Sequence, residues 1–274
     1  MIIGVDIGAS WIKGVGWHEN VLRADLARMP KNLIHFKKTV TALVSRLSGG
    51  TEIAGIGLGV AGHLSPRKIV YSMNARHLNG FALPSFLSKR FRTKVLMDND
   101  VRCFLKAEME IGAAKGCENA VGITIGSGLG GALALKGEIV RGAHFTAGEI
   151  GHIPFEGREL EDMASAKFLK KNNDYEALGK NLGLGLLTIV NILDPECIVV
   201  GGGIMSSKKA KAIILNSAKK ELFKHLKGLP AAKVTVKTSD LGDFSPAIGA
   251  ALLIGPIKGK GVLRSALALK QNLK

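Results

Sequence analysis

The chain has 274 residues, enough for two modest domains with a buried core. Its 22% charged and 46% hydrophobic residues are ordinary for a soluble globular enzyme, and 5% aromatics argue against a stacking platform for single-stranded nucleic acid. The net charge of +16 is spread in short clusters such as Lys208–Lys209–Ala210–Lys211, so a lysine-rich solvated surface accounts for it, with an acidic substrate or partner as the alternative.

Cys103, Cys117 and Cys197 lie far apart without CxxC spacing, which suggests reduced thiols in a cytosol and no zinc finger. No apolar run has membrane-spanning length, and the N-terminus lacks the pattern of a signal peptide. A cytoplasmic protein is expected.

Ile2–Ile7 and Trp11–Trp17 read as a hairpin whose turn holds Gly8, and a third short strand follows near Val21–Leu26. Leu33–Leu47 has apolar residues at helical spacing. Glu52–Val60 and Lys94–Met97 are further strands, the second feeding Asp98–Asn99–Asp100 and a helix to about Ala114. The pattern then restarts. Ala120–Ile125 is a strand ending in Gly126–Ser127–Gly128–Leu129–Gly130–Gly131, and Ala132–Leu135 and a segment after Glu138 are strands again. Helices are expected over Glu159–Lys171, Tyr175–Leu193, Lys208–Leu226 and Ser245–Leu253, with strands at Cys197–Val200 and Lys233–Lys237. Pro256–Lys274 is basic and weakly patterned. One theme thus occurs twice, which predicts a duplicated α/β protein with a cleft between its halves.

The glycine run at 126–131 is followed by a strand, so it is not a dinucleotide fingerprint, which needs a helix there. No GxxxxGK[ST] occurs. Glycine-rich hairpin turns can still gather backbone N–H groups around an anion, because glycine accepts positive φ. Two matched turns with Asp6 and Lys13 beside the first point to the phosphates of a nucleotide; the plainer reading of each is a simple turn.

Asp6–Ile7–Gly8–Ala9–Ser10–Trp11–Ile12–Lys13 and Ile123–Thr124–Ile125–Gly126–Ser127–Gly128–Leu129–Gly130–Gly131 resemble the two phosphate motifs of the ROK family of sugar kinases and related repressors, and Val199–Val200–Gly201–Gly202–Gly203 its adenosine motif. The resemblance spans nearly the whole chain in the right order. It implies an actin-like, ribonuclease H-like fold. Residues 1–100, completed by a C-terminal helix from about 245–274, would form the smaller domain, and 101–244 the larger. It implies ATP with Mg²⁺, a hexose substrate and a possible homodimer. Asp100 would be the catalytic base, for which the bland alternative is a helix cap. Asn99, Glu149, His152 and Glu161 would contact the sugar, with Gly62 and Asn74 in a loop beside it. Glu161 could equally be a solvated carboxylate in a first helical turn, and Asn74 a turn former. Asp6, Gly8, Ser10, Lys13, Gly126, Ser127, Gly128, Gly201, Gly202 and Gly203 would serve the nucleotide.

Two departures matter. Many family members carry a cysteine cluster after this histidine that binds zinc with it, whereas here the chain runs Ile153–Pro154–Phe155–Glu156–Gly157–Arg158–Glu159. No zinc is expected, since a closed site needs about four ligands, and His152 must be oriented by something else. The repressors carry an N-terminal helix-turn-helix, for which a first strand at residue 2 leaves no room. Polyphosphate as donor, or a non-catalytic sugar sensor, are the alternatives.

Overall fold

The computed structural model describes residues 1–256 except Asn20 and Glu156. The basic tail expected beyond Pro256 lies outside the described residues. The chain divides into two units, Met1–Gly112 with the segment from Phe244, and Ala113–Asp243.

The first unit opens with β1 (Ile2–Ile7), β2 (Trp11–His18) and β3 (Val21–Arg28), an antiparallel meander. Then come α1 (Leu33–Ser48), β4 (Gly55–Val60), the short pair β5 (His63–Leu64) and β6 (Ile69–Tyr71), α2 (Leu83–Phe91), β7 (Val95–Asn99) and α3 (Asp100–Ile111). Asn32 caps α1 by accepting from the His35 N–H, and Gly49 ends it in the left-handed region. Helix α2 was not expected from sequence: it is only nine residues long and has Pro84 in its first turn. The sheet order is β3-β2-β1-β4-β7, with β1, β4 and β7 parallel.

The second unit repeats this plan. It contains β8 (Ala120–Ile125), β9 (Leu129–Leu135), β10 (Glu138–Val140), the pair β11 (Pro154–Phe155) and β12 (Arg158–Glu159), α4 (Leu160–Met163), α5 (Ala166–Asn172), α6 (Tyr175–Leu193), β13 (Cys197–Gly201), α7 (Lys208–Leu226) and β14 (Thr235–Thr238). Its sheet order, β10-β9-β8-β13-β14, matches the first strand for strand. The single helix expected over Glu159–Lys171 is two. It breaks at Ala164–Ser165, where Ser165 is extended and the Ala166 N–H donates to the Gly126 carbonyl at 2.9 Å. The chain then returns to the first unit as α8 (Ser245–Ala251).

Alternation in β4, Gly-Ile-Gly-Leu-Gly-Val, decides the packing of the first unit. Ile56, Leu58 and Val60 join Ile3, Val5, Ile7, Phe36, Val40 and Leu43 in one apolar core. On the other face a Cβ at Gly4 would meet the Ala247 carbonyl, and one at Gly57 the Ala250 carbonyl, so α8 lays its backbone directly on the strands. Gly249 of α8 stands against the Cys103 carbonyl of α3, and the Ser245 hydroxyl donates to the buried Glu108 at 3.0 Å. The second unit repeats the device between helices: Gly179 and Gly183 of α6 seat against Ile214 and Ala218 of α7.

Gly249→Ala separates packing from propensity. In an exposed helix the change would stabilise by about 1 kcal/mol. Here the methyl collides with the α3 backbone, so a net loss of about 1–3 kcal/mol is expected in urea unfolding.

Candidate active site

In the first unit the expected site residues gather at the carboxyl ends of the parallel strands. Cross-strand register places Lys13, Asp6, Gly59 and Asp98 in one row across β2, β1, β4 and β7. Asp6 and Asp98 are buried. A Cβ on Gly59 would lie 3.4 Å from both the Asp100 Cα and the Cys103 Sγ, so the row faces α3. The Cys103 thiol is pushed well above its usual range by burial first, and then by the carboxylates of Asp98, Asp100 and Asp6 around it. Asp98 is held by a buried ion pair with Arg102, Nε to Oδ1 at 2.6 Å, and also accepts from the Asn99 N–H.

The helix cap belongs to Asn99, not Asp100. Asn99 Oδ1 accepts from the Val101 N–H at 2.9 Å and the Arg102 N–H at 3.2 Å, while its Nδ2 lies 3.5 Å from the Gly62 carbonyl. Asp100 follows as the first residue of α3 and is half-buried. Gly62 is at φ +133°, against Tyr71 and Ser72, a place for glycine alone. Asn74 sits exposed in a turn at residues 73–75, whereas Asn79 nearby accepts from the Ser72 N–H at 2.8 Å.

The first hairpin turn is as the sequence suggests, and the second is tighter. Strand β9 begins at Leu129, leaving Gly126–Gly128 as the turn. The Gly8 N–H donates to the Trp11 carbonyl at 3.0 Å and the Gly126 N–H to the Gly128 carbonyl at 2.9 Å. Neither Gly8, Gly126 nor Gly128 has positive φ, so left-handed backbone is not what these glycines supply. Gly128 supplies room: a Cβ there would strike the Glu161 carboxylate. The tips, Ser10 and Ser127, are exposed.

Glu161, in α4, lies against the second turn. Its Oε2 accepts from the Leu129 N–H at 3.0 Å and its Oε1 pairs with Lys167 Nζ at 2.7 Å. The ion pair raises the Lys167 pKa, the hydrogen bond to Glu161 being the main cause. The glycines flanking Glu149 and His152 have a packing reason: Gly148, at φ +95°, lies on the Gly131 carbonyl, and Gly151 on the Leu129 carbonyl. The segment is thereby laid across β9. His152 is half-exposed and pairs through Nδ1 with Glu159 Oε2 at 3.0 Å. At the end of β13, Gly202 has φ +97° and abuts the Ile125 backbone, while open space surrounds the Cβ position of Gly203. Gly201 is the last residue of that strand.

Sequence reasoning missed Arg102, Glu159 and Lys167. The i, i+4 spacing of Asp98 and Arg102 across the start of α3 was a usable signal. For Glu159 and Lys167 the partner is set by the β11–β12 hairpin and by the break between α4 and α5, which no periodicity announces.

Removing Arg102 tests the junction. Arg102→Met leaves the Asp98 carboxylate buried without this counter-charge, and a loss of about 3–5 kcal/mol is expected in denaturant unfolding.

A model of the ROK family matches residues 2–167 and 157–256. An uncharacterized protein of Clostridium perfringens is 31% identical over 217 residues, which cover 67% of this chain and 74% of that one. A glucokinase of Halalkalibacterium halodurans is 27% identical, with 92% of this chain and 94% of that one covered. Among solved structures, a ROK family glucokinase from Streptomyces griseus in complex with glucose and AMPPNP superposes with a TM-score of 0.80 at 22% identity, covering 92% of this chain and 98% of that one. That likeness gives the fold, the actin-like duplicated α/β architecture. Matched by one family model over nearly all its described length, the chain belongs to the ROK family.

Proposed function

We propose that this chain is a sugar kinase that transfers a phosphoryl group from ATP to a hexose hydroxyl, with Asp100 as the general base. The observation that carries the reading is the division of labour at the β7–α3 junction. Asn99 makes the cap hydrogen bonds, and Asp100 follows half-buried at the start of α3, its Cα over Gly59 and its charge joining those of Asp98 and Asp6 around the Cys103 thiol. A sugar hydroxyl is a poor nucleophile until a positioned carboxylate accepts its proton as the new P–O bond forms. The rest of the catalysis is alignment and neutralisation of charge.

The other residues fall into roles their chemistry permits. Asn99 Oδ1 serves the cap, so Nδ2 is the part that would donate to a sugar hydroxyl. Glu149 and His152 would read neighbouring hydroxyls. Glu161 retains carboxylate lone pairs beyond those used by Leu129 and Lys167 and would accept from another, joining the sugar to the second turn. The turns at Gly8–Ser10 and Gly126–Gly128, with Lys13, would hold the phosphates, and the Gly201–Gly203 segment the adenosine. Mg²⁺ carried on those phosphates would neutralise part of their charge, and the buried carboxylate of Asp6, in register with Lys13 beside the first turn, fits a contact to its water shell.

A coupled assay of ADP release over a panel of hexoses tests the reading. Asp100→Asn is expected to lower turnover by about 100-fold or more while the unfolding midpoint and sugar affinity stay near those of the parent. Normal turnover by the Asp100→Asn variant would overturn the assignment. Sugar binding without ATP consumption would mark a sensor instead, and activity with polyphosphate alone would change the donor.

A further inference from the structure

The Glu159–His152 contact is built by the fold and not by neighbours in sequence. Pro154 pairs with Glu159 and Phe155 with Arg158 in the β11–β12 hairpin, whose turn holds Gly157 at φ +76°. One step outward the Leu160 N–H donates to the Ile153 carbonyl at 2.9 Å. His152, two residues before Pro154, is therefore the diagonal neighbour of Glu159 on one face of the hairpin, a spacing that long side chains bridge. They do so here, Nδ1 to Oε2 at 3.0 Å. The backbone on the other side of His152 is fixed as well, since the His152 N–H donates to the Glu149 carbonyl at 3.2 Å and Gly151 is pressed on Leu129.

A carboxylate on Nδ1 keeps the ring proton there. In the neutral ring Nε2 is then an acceptor, and in the charged ring a donor. We propose that Glu159 is a positioning residue for the sugar: it holds His152 in one ring orientation and one tautomer, so that Nε2 meets a sugar hydroxyl. This rests on the reading of His152 as a sugar contact. The electrostatics act in the same sense. The His152 pKa is raised, first by the hydrogen bond to Glu159, against burial, and further by the charges of Glu159, Glu149 and Glu161; Lys167 is the cation paired with the last of these.

The test uses the full chain and reads sugar binding without ATP, so that it does not depend on turnover. Glucose, mannose and N-acetylglucosamine are the probes, and the one bound best is carried through. Glu159→Ala is expected to raise its Kd about tenfold, the equivalent of one ordinary hydrogen bond. Glu159→Gln keeps an acceptor for Nδ1 and is expected to hold the Kd within about threefold at pH 8, while His152 titrates by NMR at lower pH than in the parent. The double variant with His152→Ala should bind no worse than His152→Ala alone, because Glu159 acts through the ring. Parent-like binding by Glu159→Ala, or losses that add in the double variant, would overturn the role. If Glu159→Ala does not fold, an unmoved His152 titration in Glu159→Gln overturns it. A parent chain that binds none of the three sugars also overturns it. A parent chain that binds sugar but releases no ADP defeats the kinase reading alone, and the affinity comparison still decides the role of Glu159.

Discussion

Close approach of helix backbone to sheet backbone, permitted by glycine at alternate positions of β4, is the constraint on which the first unit depends. Side chains at Gly4 and Gly57 would drive α8 off the strands, while a Cβ at Gly59 would just touch α3 at Asp100 and Cys103. Since α8 in turn rests on α3 through Gly249 and the Ser245–Glu108 hydrogen bond, the position of the Asp100 backbone is set by contacts that leave no room for adjustment. Interiors packed at this density transmit small volume changes directly. The placement of Asp100 is thus tied to residues that carry no reactive group of their own.

Charge is managed on the same face. The row Lys13–Asp6–Gly59–Asp98 alternates cation and carboxylates around a glycine, and Arg102 answers Asp98 from α3. The second unit solves its problem with hydrogen bonds from the main chain. Glu161 is held by the Leu129 N–H, the start of α5 by the Gly126 carbonyl, and the loop from Glu118 by Glu196, whose carboxylate accepts from the Glu118 and Asn119 N–H groups at 2.6 and 2.8 Å. In this unit the polar groups are thus braced by backbone, a pattern expected where orientation matters.

Most strands and long helices were legible, because their signals are local: short apolar runs at β4 and β8, helical spacing in α1, glycine at the turns. The ordered motifs also carried the duplication, which the matching strand orders repeat. What was not legible depended on who reaches whom. At Asn99–Asp100 either residue has the chemistry of a cap, and only the geometry assigns it to Asn99. The helix over Glu159–Lys171 had the right composition and was interrupted by a carbonyl from a turn distant in sequence. The glycines of the turns suggested left-handed backbone, whereas Gly128 serves to admit a carboxylate.

The division of the chain has a consequence for the order in which the halves are completed. The second unit, Ala113–Asp243, is continuous, while the first needs α8 from beyond it. During synthesis the middle of the chain has all its strands and helices before the first unit has its last helix. In that interval the β1–β4 face awaiting α8 presents Gly4, Gly55 and Gly57, with the larger residues of β4 already turned toward α1. What that surface presents is backbone, so α8 completes the first unit by a close fit of main chain to main chain and not by covering large side chains of β4.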